Sequence, residues 1–463
     1  MKRGKRLPVL RWVGFVLVAL AAGFGAVATW RTAPPARIEI DAALPGIGRR
    51  TPFTVRLASA GRGLTATRIE LLQGDLRHEL GRASSTPPPA WAFWRDGLST
   101  AEIAVEIGSD TVEGLQEGHA TVRVVSERAG TWLFQPEPSV VEQEFPVRLR
   151  PPTITLLSTQ HYVAQGGSGV VVYRVSEGAD REGVQAGEWF FPGVALPERG
   201  EDVRFALFGA PYDLDGADGL KLIAEDALGN RSEASFVDRY FEKPLARDTI
   251  RVDNRFMSRV VPAILGQTPS LHDRGDLLQN YLAINGELRA ANAARLSELG
   301  RTSATRFLWR EVFLPLPNGK VMSAFADRRT YTYEGREVDQ QDHLGFDLAS
   351  TQQAPVPASN AGVVALAEYF GIYGNTVVID HGHGLMSLYA HLSSIDVAPG
   401  ATVARGDMVG HTGATGLAGG DHLHFTMLIR GLAVNPVEWW DAAWIRDRLI
   451  PKIGAAYFSP DTT

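Results

Sequence analysis

The sequence predicts a mainly β protein that begins with one transmembrane helix and contains one helical connector. Three observations support this fold class. An uncharged apolar run extends from Trp12 to Trp30. Short segments of alternating apolar and polar residues fill much of 36–243 and return after Phe307, and such alternation is typical of strands with one buried face. Between these two β regions, leucines recur at helical spacing.

The composition restricts the class of protein. Charged residues make up 21% of the chain and hydrophobic residues 44%, which is typical of folded globular domains. The length of 463 residues corresponds to about three domains. The formal net charge is −6, and like charges form no long run after the first few residues, so nucleic-acid binding is disfavoured. The absence of cysteine excludes disulfides, thiol catalysis, zinc–thiolate sites and a lipoprotein anchor.

Residues 1–35 predict a short cytoplasmic segment followed by a membrane anchor. The apolar run of residues 12–30 would span about 28 Å as a helix, close to the thickness of a bilayer core. Tryptophan at both ends suits the two membrane interfaces, and the basic flank predicts a cytoplasmic N-terminus. We therefore expect a single pass through the inner (cytoplasmic) membrane, with the bulk of the chain in the periplasm. The basic flank consists of Lys2, Arg3, Lys5, Arg6 and Arg11.

A cleaved signal peptide is the alternative to this anchor. Ala26-Val27-Ala28 offers the small residues of a cleavage site. The apolar run is longer than an ordinary signal sequence, which favours the uncleaved anchor.

Two tandem β-sandwich domains of immunoglobulin-like type are predicted next, at residues 36–150 and 151–243. Turn residues separate the alternating runs of the first block, as in an antiparallel sandwich, and the Pro-rich segment from Thr86 to Trp94 is predicted to be a loop. Pro151-Pro152 then interrupts the pattern. The second block ends near Leu222–Asn230, which resembles the last hairpin of a bacterial immunoglobulin-like module.

The remaining chain is predicted as a helical connector at 244–303, a β domain at 304–445 and a tail at 446–463. In the connector, the periodic leucines predict a helix from Asp276 to Leu299, with Gly300 just past its end. We assign no chemistry to this segment. A short helix is expected from Ala442 onwards.

Histidines concentrate in the β domain, where seven of the eleven lie between His343 and His424. In His422-Leu-His424, both imidazoles would share one face of a strand about 6.6 Å apart, so that one could bind a metal ion beside the other. A straight strand would hold His343 and Asp347 about 13 Å apart, which requires a bend, and Gly345 at the middle allows unusual backbone angles.

His391 belongs to the run Met386–Leu392, in which alternation places Ser387, Tyr389 and His391 on the polar face of an amphipathic strand. Two imidazoles and one carboxylate with one open position form the typical catalytic zinc site. Two further histidines would then be available to transfer protons or to stabilise an oxyanion. His381 and His383 flank a glycine between two strand-like runs, which favours a hairpin turn over metal binding. His411 is interpreted as a solvated loop residue.

These motifs resemble the lysostaphin/LytM-type zinc metallopeptidases, which show H-x-x-x-D, a Y-x-H-L strand and a glycine-rich turn into H-x-H. The resemblance implies that His343, Asp347 and His424 bind one Zn²⁺ per chain and that His391 and His422 are the catalytic pair. Tyr389 and Asn375 are the predicted substrate contacts. Further matches are Phe325–Arg329, Gly374-Asn375, Pro399-Gly400, Gly406-Asp407 and Asn435-Pro436.

The resemblance covers roughly residues 310–442, about a third of the chain, and two positions depart from it. Ala326 replaces a usual glycine, and Gly419-Gly420-Asp421 replaces T-G-P. No implied metal ligand or catalytic residue is lost. The family's duplicated hybrid motif is a small antiparallel β fold, which implies a site in a groove floored by a sheet.

By resemblance, we expect a membrane-anchored zinc metalloendopeptidase that hydrolyses peptide bonds in peptidoglycan stem peptides or cross-bridges. The expected partners are peptidoglycan, the inner membrane through residues 12–30, and a cell-wall protein. The alternative is a catalytically silent scaffold or activator of a cell-wall amidase or divisome protein; the complete residue set favours the enzyme. An endopeptidase with protein substrates would use the same chemistry. The division of roles between His391 and His422 stays open.

Overall fold

The computed structural model describes residues 7–32 and 34–454. Lys2, Arg3, Lys5 and Arg6 of the predicted basic flank lie outside the described residues, as do residues 455–463 of the predicted tail. The chain forms two compact units. The first comprises Met1–Pro152, Gly178–Asp180 and Glu225–Ser232, and the second comprises Thr153–Glu177, Arg181–Ala224 and Glu233–Thr463.

Helix α1 (Leu7–Trp30) begins the described part of the first unit, and most of its apolar side chains are exposed. Its segment Arg11–Trp30 is long and apolar enough to cross a membrane. This confirms the predicted apolar helix. A signal sequence would have the same length and composition, so membrane anchoring stays a prediction.

The first unit is built on two antiparallel sheets. One sheet has the strand order β1-β2-β5 and the other β4-β3-β6-β7. Burial alternates along β2, where Phe53 and Val55 point inward, and these residues share one core with Ile69 and Val122 of the other sheet. The seven strands are β1 Arg37–Ala42, β2 Thr51–Ala58, β3 Leu64–Gln73, β4 Leu76–Ser84, β5 Thr100–Ile107, β6 Gly118–Arg128 and β7 Ser139–Val147.

The following block contains ten strands. Two four-stranded sheets have the orders β13-β14-β10-β8 and β12-β11-β15-β16, and β9 pairs with β17 in parallel. The immunoglobulin-like topology of both blocks and their boundaries stay predictions. The strands are β8 Ile154–Leu156, β9 Tyr162–Ala164, β10 Ser168–Val175, β11 Arg181–Ala186, β12 Trp189–Pro192, β13 Val194–Ala195, β14 Val203–Gly209, β15 Leu220–Glu225, β16 Arg231–Ala234 and β17 Arg239–Phe241.

The connector contains one strand and two helical stretches. These are β18 (Arg247–Arg251), α2 (Asn254–Gln267) and a continuous helix made of α3 (Leu277–Ala283), a π-helical turn (Ile284–Leu288) and α4 (Arg289–Arg301). The predicted helix is thus present, and Asp276 caps it by accepting a hydrogen bond from Gln279 N at 2.8 Å.

Two details of the connector differ from the prediction. Helix α2 was not predicted; Asp253 caps it by accepting from Phe256 N at 2.8 Å. Gly300 lies inside the last turn of α4 and does not terminate the helix. A Cβ on Gly300 would lie 2.6 Å from the Arg430 backbone, so its lack of a side chain serves close packing.

The last thirteen strands build the C-terminal β domain. They are β19 Lys320–Ser323, β20 Asp327–Tyr333, β21 Arg336–His343, β22 Phe346–Ala349, β23 Pro355–Pro357, β24 Gly362–Tyr369, β25 Asn375–Gly382, β26 Leu385–Leu392, β27 Ser394–Ile395, β28 Thr402–Val403, β29 Met408–His411, β30 Leu423–Ile429 and β31 Leu432–Val434. The central sheet has the order β19-β22-β30-β26-β25-β24-β28, with β31 paired to β30. Its pairings are antiparallel, as the resemblance implied.

The connector packs as part of this domain and is not a spacer. Strand β18 pairs in parallel with β20, which also pairs with β21. Buried Ile264 and Tyr281 of the connector share one core with Tyr331 and Ile372 of the β domain. The predicted boundary at residue 304 therefore divides a continuous hydrophobic core.

Short helices close the described chain: α5 (Pro436–Trp440), α6 (Ala442–Trp444), a π turn (Ile445–Leu449) and α7 (Ile450–Ile453). This confirms the helix expected after Ala442. Trp439 is fully buried, with its ring centroid 5.8 Å from that of Trp309.

Candidate metal and catalytic site

Three side chains converge where β21, β22 and β30 meet. Asp347 is the register partner of His424, and His343 ends the neighbouring strand β21. Asp347 Oδ1 lies 2.9 Å from His343 Nε2 and 3.0 Å from His424 Nδ1, and these two nitrogens are 3.0 Å apart. Among the residues that the structure describes, these three side chains form the group able to hold a metal ion.

Hydrogen bonds assign the tautomers of the two histidines. His343 Nδ1 donates to Ala324 O at 3.0 Å, which leaves a lone pair on Nε2. Thr426 Oγ1 donates to Leu344 O at 2.9 Å and therefore accepts from His424 Nε2, 3.1 Å away. This leaves a lone pair on His424 Nδ1. Burial lowers the pKa of His424 to about 4, so the ring is neutral near pH 7.

The donor set fits a divalent cation. Two lone pairs and a carboxylate oxygen face one point, which is repulsive unless a positive charge lies between them. Burial alone would raise the pKa of Asp347, but its close contacts with the surrounding histidines hold it well below its usual value. Two neutral imidazoles and one ionised carboxylate are the ligand types of a catalytic zinc site.

Arg329 holds the second oxygen of the Asp347 carboxylate. Its Nη2 donates to Asp347 Oδ2 at 2.9 Å and to Ser323 Oγ at 2.8 Å. Because Oδ2 is occupied by the guanidinium, Oδ1 is directed toward the two histidines. Partners of this kind orient ligands and tune metal affinity.

His391 and His422 lie beside the ligand group, with ring centroids 4.9 Å apart. His391 Nδ1 donates to Thr415 O at 2.9 Å and His422 Nδ1 to Gly420 O at 2.8 Å. Each ring therefore offers Nε2 for proton transfer. Burial lowers the pKa of His391 well below its usual value, and the charges of His422 and His424 lower it further. For His422, burial lowers the pKa, but the hydrogen bond and charge of Asp347 raise it overall.

The strand of His391 differs from its prediction. All eight residues of β26 are buried, because the strand lies in the middle of the sheet, so it is not amphipathic. His391 has a φ of +63°, which breaks the alternation of side chains. Its ring consequently turns to the same face as His424, with centroids 5.7 Å apart.

Tyr389 is a correction to the predicted substrate contacts. It pairs with Phe425 and is 1% exposed, on the face of the sheet opposite to His391. Its Oη accepts from Ser359 N at 2.6 Å and lies 2.9 Å from Ser387 Oγ. The hydroxyl is therefore used inside the core and does not line the cavity.

Asn375 also lies outside the cavity lining. Its backbone N donates to Thr415 Oγ1 at 2.9 Å. The Thr415 carbonyl in turn accepts from His391, so Asn375 supports the site through Thr415.

The other three histidines of the cluster lie away from the metal group. His381 and His383 fall at the hairpin between β25 and β26, as predicted. His411 is in strand β29, where the prediction had a loop, and its Nδ1 lies 3.0 Å from Ser394 Oγ.

A cavity of about 450 Å³ opens beside the five site residues. Its opposite wall comes from the connector, to which the sequence assigned no chemistry. Tyr281, Arg289 and the segment around Asp253 line this wall, and Tyr373 lines the cavity with its ring centroid 5.6 Å from that of His424. These residues belong to no local motif, and only tertiary packing brings them to the site.

Arg289 is the notable cation of this wall. Its Nε and Nη2 donate to Asn285 O and Oδ1 at 3.0 and 2.6 Å. Within the described residues it forms no ion pair, and its Nη1 forms no hydrogen bond.

The C-terminal β domain is similar in sequence to known peptidases. Residues 341–436 match the model of Peptidase family M23. The chain is 45% identical to the DD-carboxypeptidase/endopeptidase Mpg of Neisseria meningitidis over 21% of its length, and 32% identical to the peptidoglycan DD-endopeptidase ShyA of Vibrio cholerae over 37%. These matches span 22% and 37% of the two relatives, respectively.

A solved M23 peptidase structure from Pseudomonas aeruginosa is 26% identical with a TM-score of 0.36, and the match covers 60% of this chain and 95% of that one. The predicted resemblance to the peptidoglycan-cleaving metallopeptidases is confirmed by the family match.

Proposed function

This chain carries a peptidase family M23 domain, and from that premise we propose that it is a zinc metalloendopeptidase that cleaves peptide bonds in peptidoglycan stem peptides or cross-bridges. The observation that carries the proposal is the convergence of two imidazoles and one carboxylate on a cavity that His391 and His422 also line. The sequence similarity to peptidoglycan endopeptidases supports the choice of substrate.

The residues divide the chemistry among them. His343, Asp347 and His424 would hold the zinc ion, which supplies Lewis-acid activation of the scissile carbonyl and of a water molecule. His391 and His422 present Nε2, so one can accept the proton of the attacking water and the other can stabilise the developing oxyanion or protonate the leaving amine. Arg329 keeps the Asp347 carboxylate in place.

Arg289 supports a substrate that carries a carboxylate. Its guanidinium is fixed by Asn285 on one side and faces the cavity on the other. Peptidoglycan stem peptides contain free carboxylates, and an arginine with an unused donor is suited to bind one. We assign Arg289 to this contact.

Helix α1 is proposed to anchor the chain in the cytoplasmic membrane, with the peptidase domain on the outer side. Its length and apolar composition support this role. The alternative, a catalytically silent scaffold, is not favoured because every implied ligand and catalytic residue is present at the cavity.

The test is release of muropeptides from purified sacculi by the full chain in detergent. We expect new uncross-linked products by chromatography and mass spectrometry, abolished by a chelator and restored by zinc. His422→Ala should be inactive, and His411→Ala, outside the cavity, should retain activity. Bound zinc without any product from the full chain would overturn the enzyme and favour the scaffold.

A further inference from the structure

Two loops of the first unit carry a group of exposed apolar side chains. We call this group the aromatic platform: Trp91, Trp94, Trp132, Leu133 and Phe134, which are 63%, 55%, 59%, 49% and 47% exposed. Single exposed apolar residues are common on soluble domains, but three tryptophans in two neighbouring loops are not. None of the five carries a charge.

The platform is continuous with the end of helix α1. The ring centroid of Phe24 lies 4.3 Å from that of Phe93 in the first loop and 6.1 Å from that of Trp132 in the second. A Cβ on Gly25 would lie 3.9 Å from Leu133 Cδ1. Both loops therefore pack against the same turn of the helix, six residues before it ends at Trp30.

Buried Arg62 fixes both loops from below. Its guanidinium is held by four backbone carbonyls of the two loops, at 2.8 Å from Ala92 O, 2.7 Å from Pro88 O, 3.0 Å from Pro89 O and 3.3 Å from Gly130 O. Arg62 is 2% exposed. A buried arginine with this many carbonyl partners holds the backbones of both loops in one conformation. The exposed tryptophans are therefore carried by loops with a fixed backbone.

A second arginine connects the helix end to the same loops. Arg31 donates to Phe93 O at 3.3 Å and Trp94 O at 3.1 Å, and it pairs with Asp96 at 2.5 Å. The residue that follows the apolar helix is thus bonded to the loop that carries two of the tryptophans. Hydrogen bonds and an ion pair therefore link the platform to the end of the helix.

We propose that the aromatic platform inserts into the boundary between headgroups and acyl chains of the phospholipid bilayer that α1 crosses. Tryptophan and phenylalanine next to the end of an apolar helix lie at the depth where membrane proteins concentrate aromatic side chains. The first unit then rests on the bilayer surface through three contacts, α1 and the two loops. This inference rests on the proposed membrane anchoring of α1 and is independent of peptidase activity.

The cysteine-free chain allows a direct depth measurement. Two variants of the full chain each carry one cysteine, in place of Trp91 or of Phe134, and each cysteine is labelled with a nitroxide. The labelled chains are placed in liposomes of phosphatidylethanolamine and phosphatidylglycerol. Val18→Cys, in the middle of α1, reports insertion of the helix. Asp75→Cys is the aqueous control, because it is exposed in the turn at the far end of β3, ~30 Å along the strand from the Arg62 end.

We expect the labels at 91 and 134 to be relaxed by oxygen several-fold more than the label at 75, and by a water-soluble nickel complex several-fold less. Labels at 91 and 134 as accessible to nickel as the label at 75, with Val18 in the bilayer, would overturn the proposal. Protection of these labels from both reagents would also contradict it and indicate a protein partner or a second copy. A label at position 18 that is exposed to water would contradict both the membrane anchoring of α1 and the insertion of the platform.

Discussion

Gly345 lies directly against the ring of His424. A Cβ on Gly345 would be 2.5 Å from His424 Nε2 and 2.6 Å from Thr426 Oγ1. The same nitrogen and hydroxyl form the hydrogen bond that fixes the tautomer of this ligand. The absent side chain therefore leaves His424 the room to direct Nδ1 toward Asp347 and His343.

The first prediction concerns this contact. Gly345→Ala should displace His424 and weaken zinc binding about 10–100-fold, the usual effect of disturbing the partners of a metal ligand. Competition with a chromogenic chelator measures the affinity. Gly266→Ala is the matched control, because nothing lies within 4 Å of its added Cβ. Unchanged affinity in Gly345→Ala would contradict this account.

Measurement of the zinc content should distinguish variants of the proposed metal ligands from variants of the proposed catalytic histidines. We expect His343→Ala and His424→Ala to purify without stoichiometric zinc, since each removes one of three ligands. His391→Ala and His422→Ala should retain zinc and lose about 10²–10⁴-fold in kcat, as expected for loss of a proton-transfer group. Mass spectrometry of metal content together with muropeptide release checks both classes. Zinc loss in His422→Ala would make it a ligand.

Arg329 should matter through Asp347 alone. Arg329→Met removes the donor that holds Oδ2, and we expect zinc affinity to fall about 10-fold while the fold is kept. Arg328→Met is the control, because the guanidinium of Arg328 pairs with Asp342, which is not one of the three proposed ligands. Equal losses of affinity in the two variants would indicate a general effect on strand β20.

Arg289 should contribute to binding and not to the chemical step. Arg289→Gln should raise KM about 10-fold with little change in kcat, because a contact made equally in substrate and transition state affects binding alone. With a substrate whose free carboxylates are amidated, the wild type and Arg289→Gln should have the same KM. Arg295→Gln, on the same helix and paired with Glu298 in solvent, serves as control. A kcat defect without a KM change would reject the assignment.

His381 should make the stability depend on pH. Burial of the ring, which has no exposed surface, lowers its pKa from 6.5 to about 4, and the hydrogen bond from Nδ1 to Ala361 O offsets only part of this shift. The unfolded chain binds a proton at this histidine more readily than the folded chain does. The contribution of the neutral ring to the free energy of unfolding is therefore fully present above pH 6.5 and is lost as the pH falls through 4. Between pH 7 and pH 5 the free energy of unfolding should fall by about 2 kcal/mol from this group.

Urea unfolding of the full chain in detergent at the two pH values measures this loss. His381→Gln should be less stable at pH 7 and should show a smaller loss on going to pH 5. An identical pH dependence in the variant and the wild type would contradict the prediction.

The five candidate site residues could be singled out from the sequence because their spacing and chemistry are local. The His343–Asp347 and His422–His424 pairs each lie within five residues, and β pairing brings them together. Glycine is needed at position 345 for a different reason from the predicted one. Gly345 does not adopt a positive φ, and its missing side chain leaves room for the ring of His424. Tyr389 was misplaced because the positive φ at His391 reverses the face that alternation predicts.

The cavity wall could not be predicted from any motif. Tyr281 and Arg289 reach the site because β18 joins β20 and the connector helices bury their apolar face on Ile372. Leucine periodicity identifies a helix but not the surface against which it packs. The connector wall of the cavity therefore depends on long-range packing, whereas the five candidate site residues come from short motifs.

The π-helical turn Ile284–Leu288 has a consequence for how the connector helix tolerates changes in length. A π turn holds one residue more than an α turn, so deletion of a single residue there would restore a regular α-helix. Because the extra residue is accommodated within one wide turn, its removal would leave the two halves of the helix facing nearly as they do now. Arg289 would therefore stay at the cavity, and the connector helix could lose one residue in this turn without changing the residues that line the candidate site.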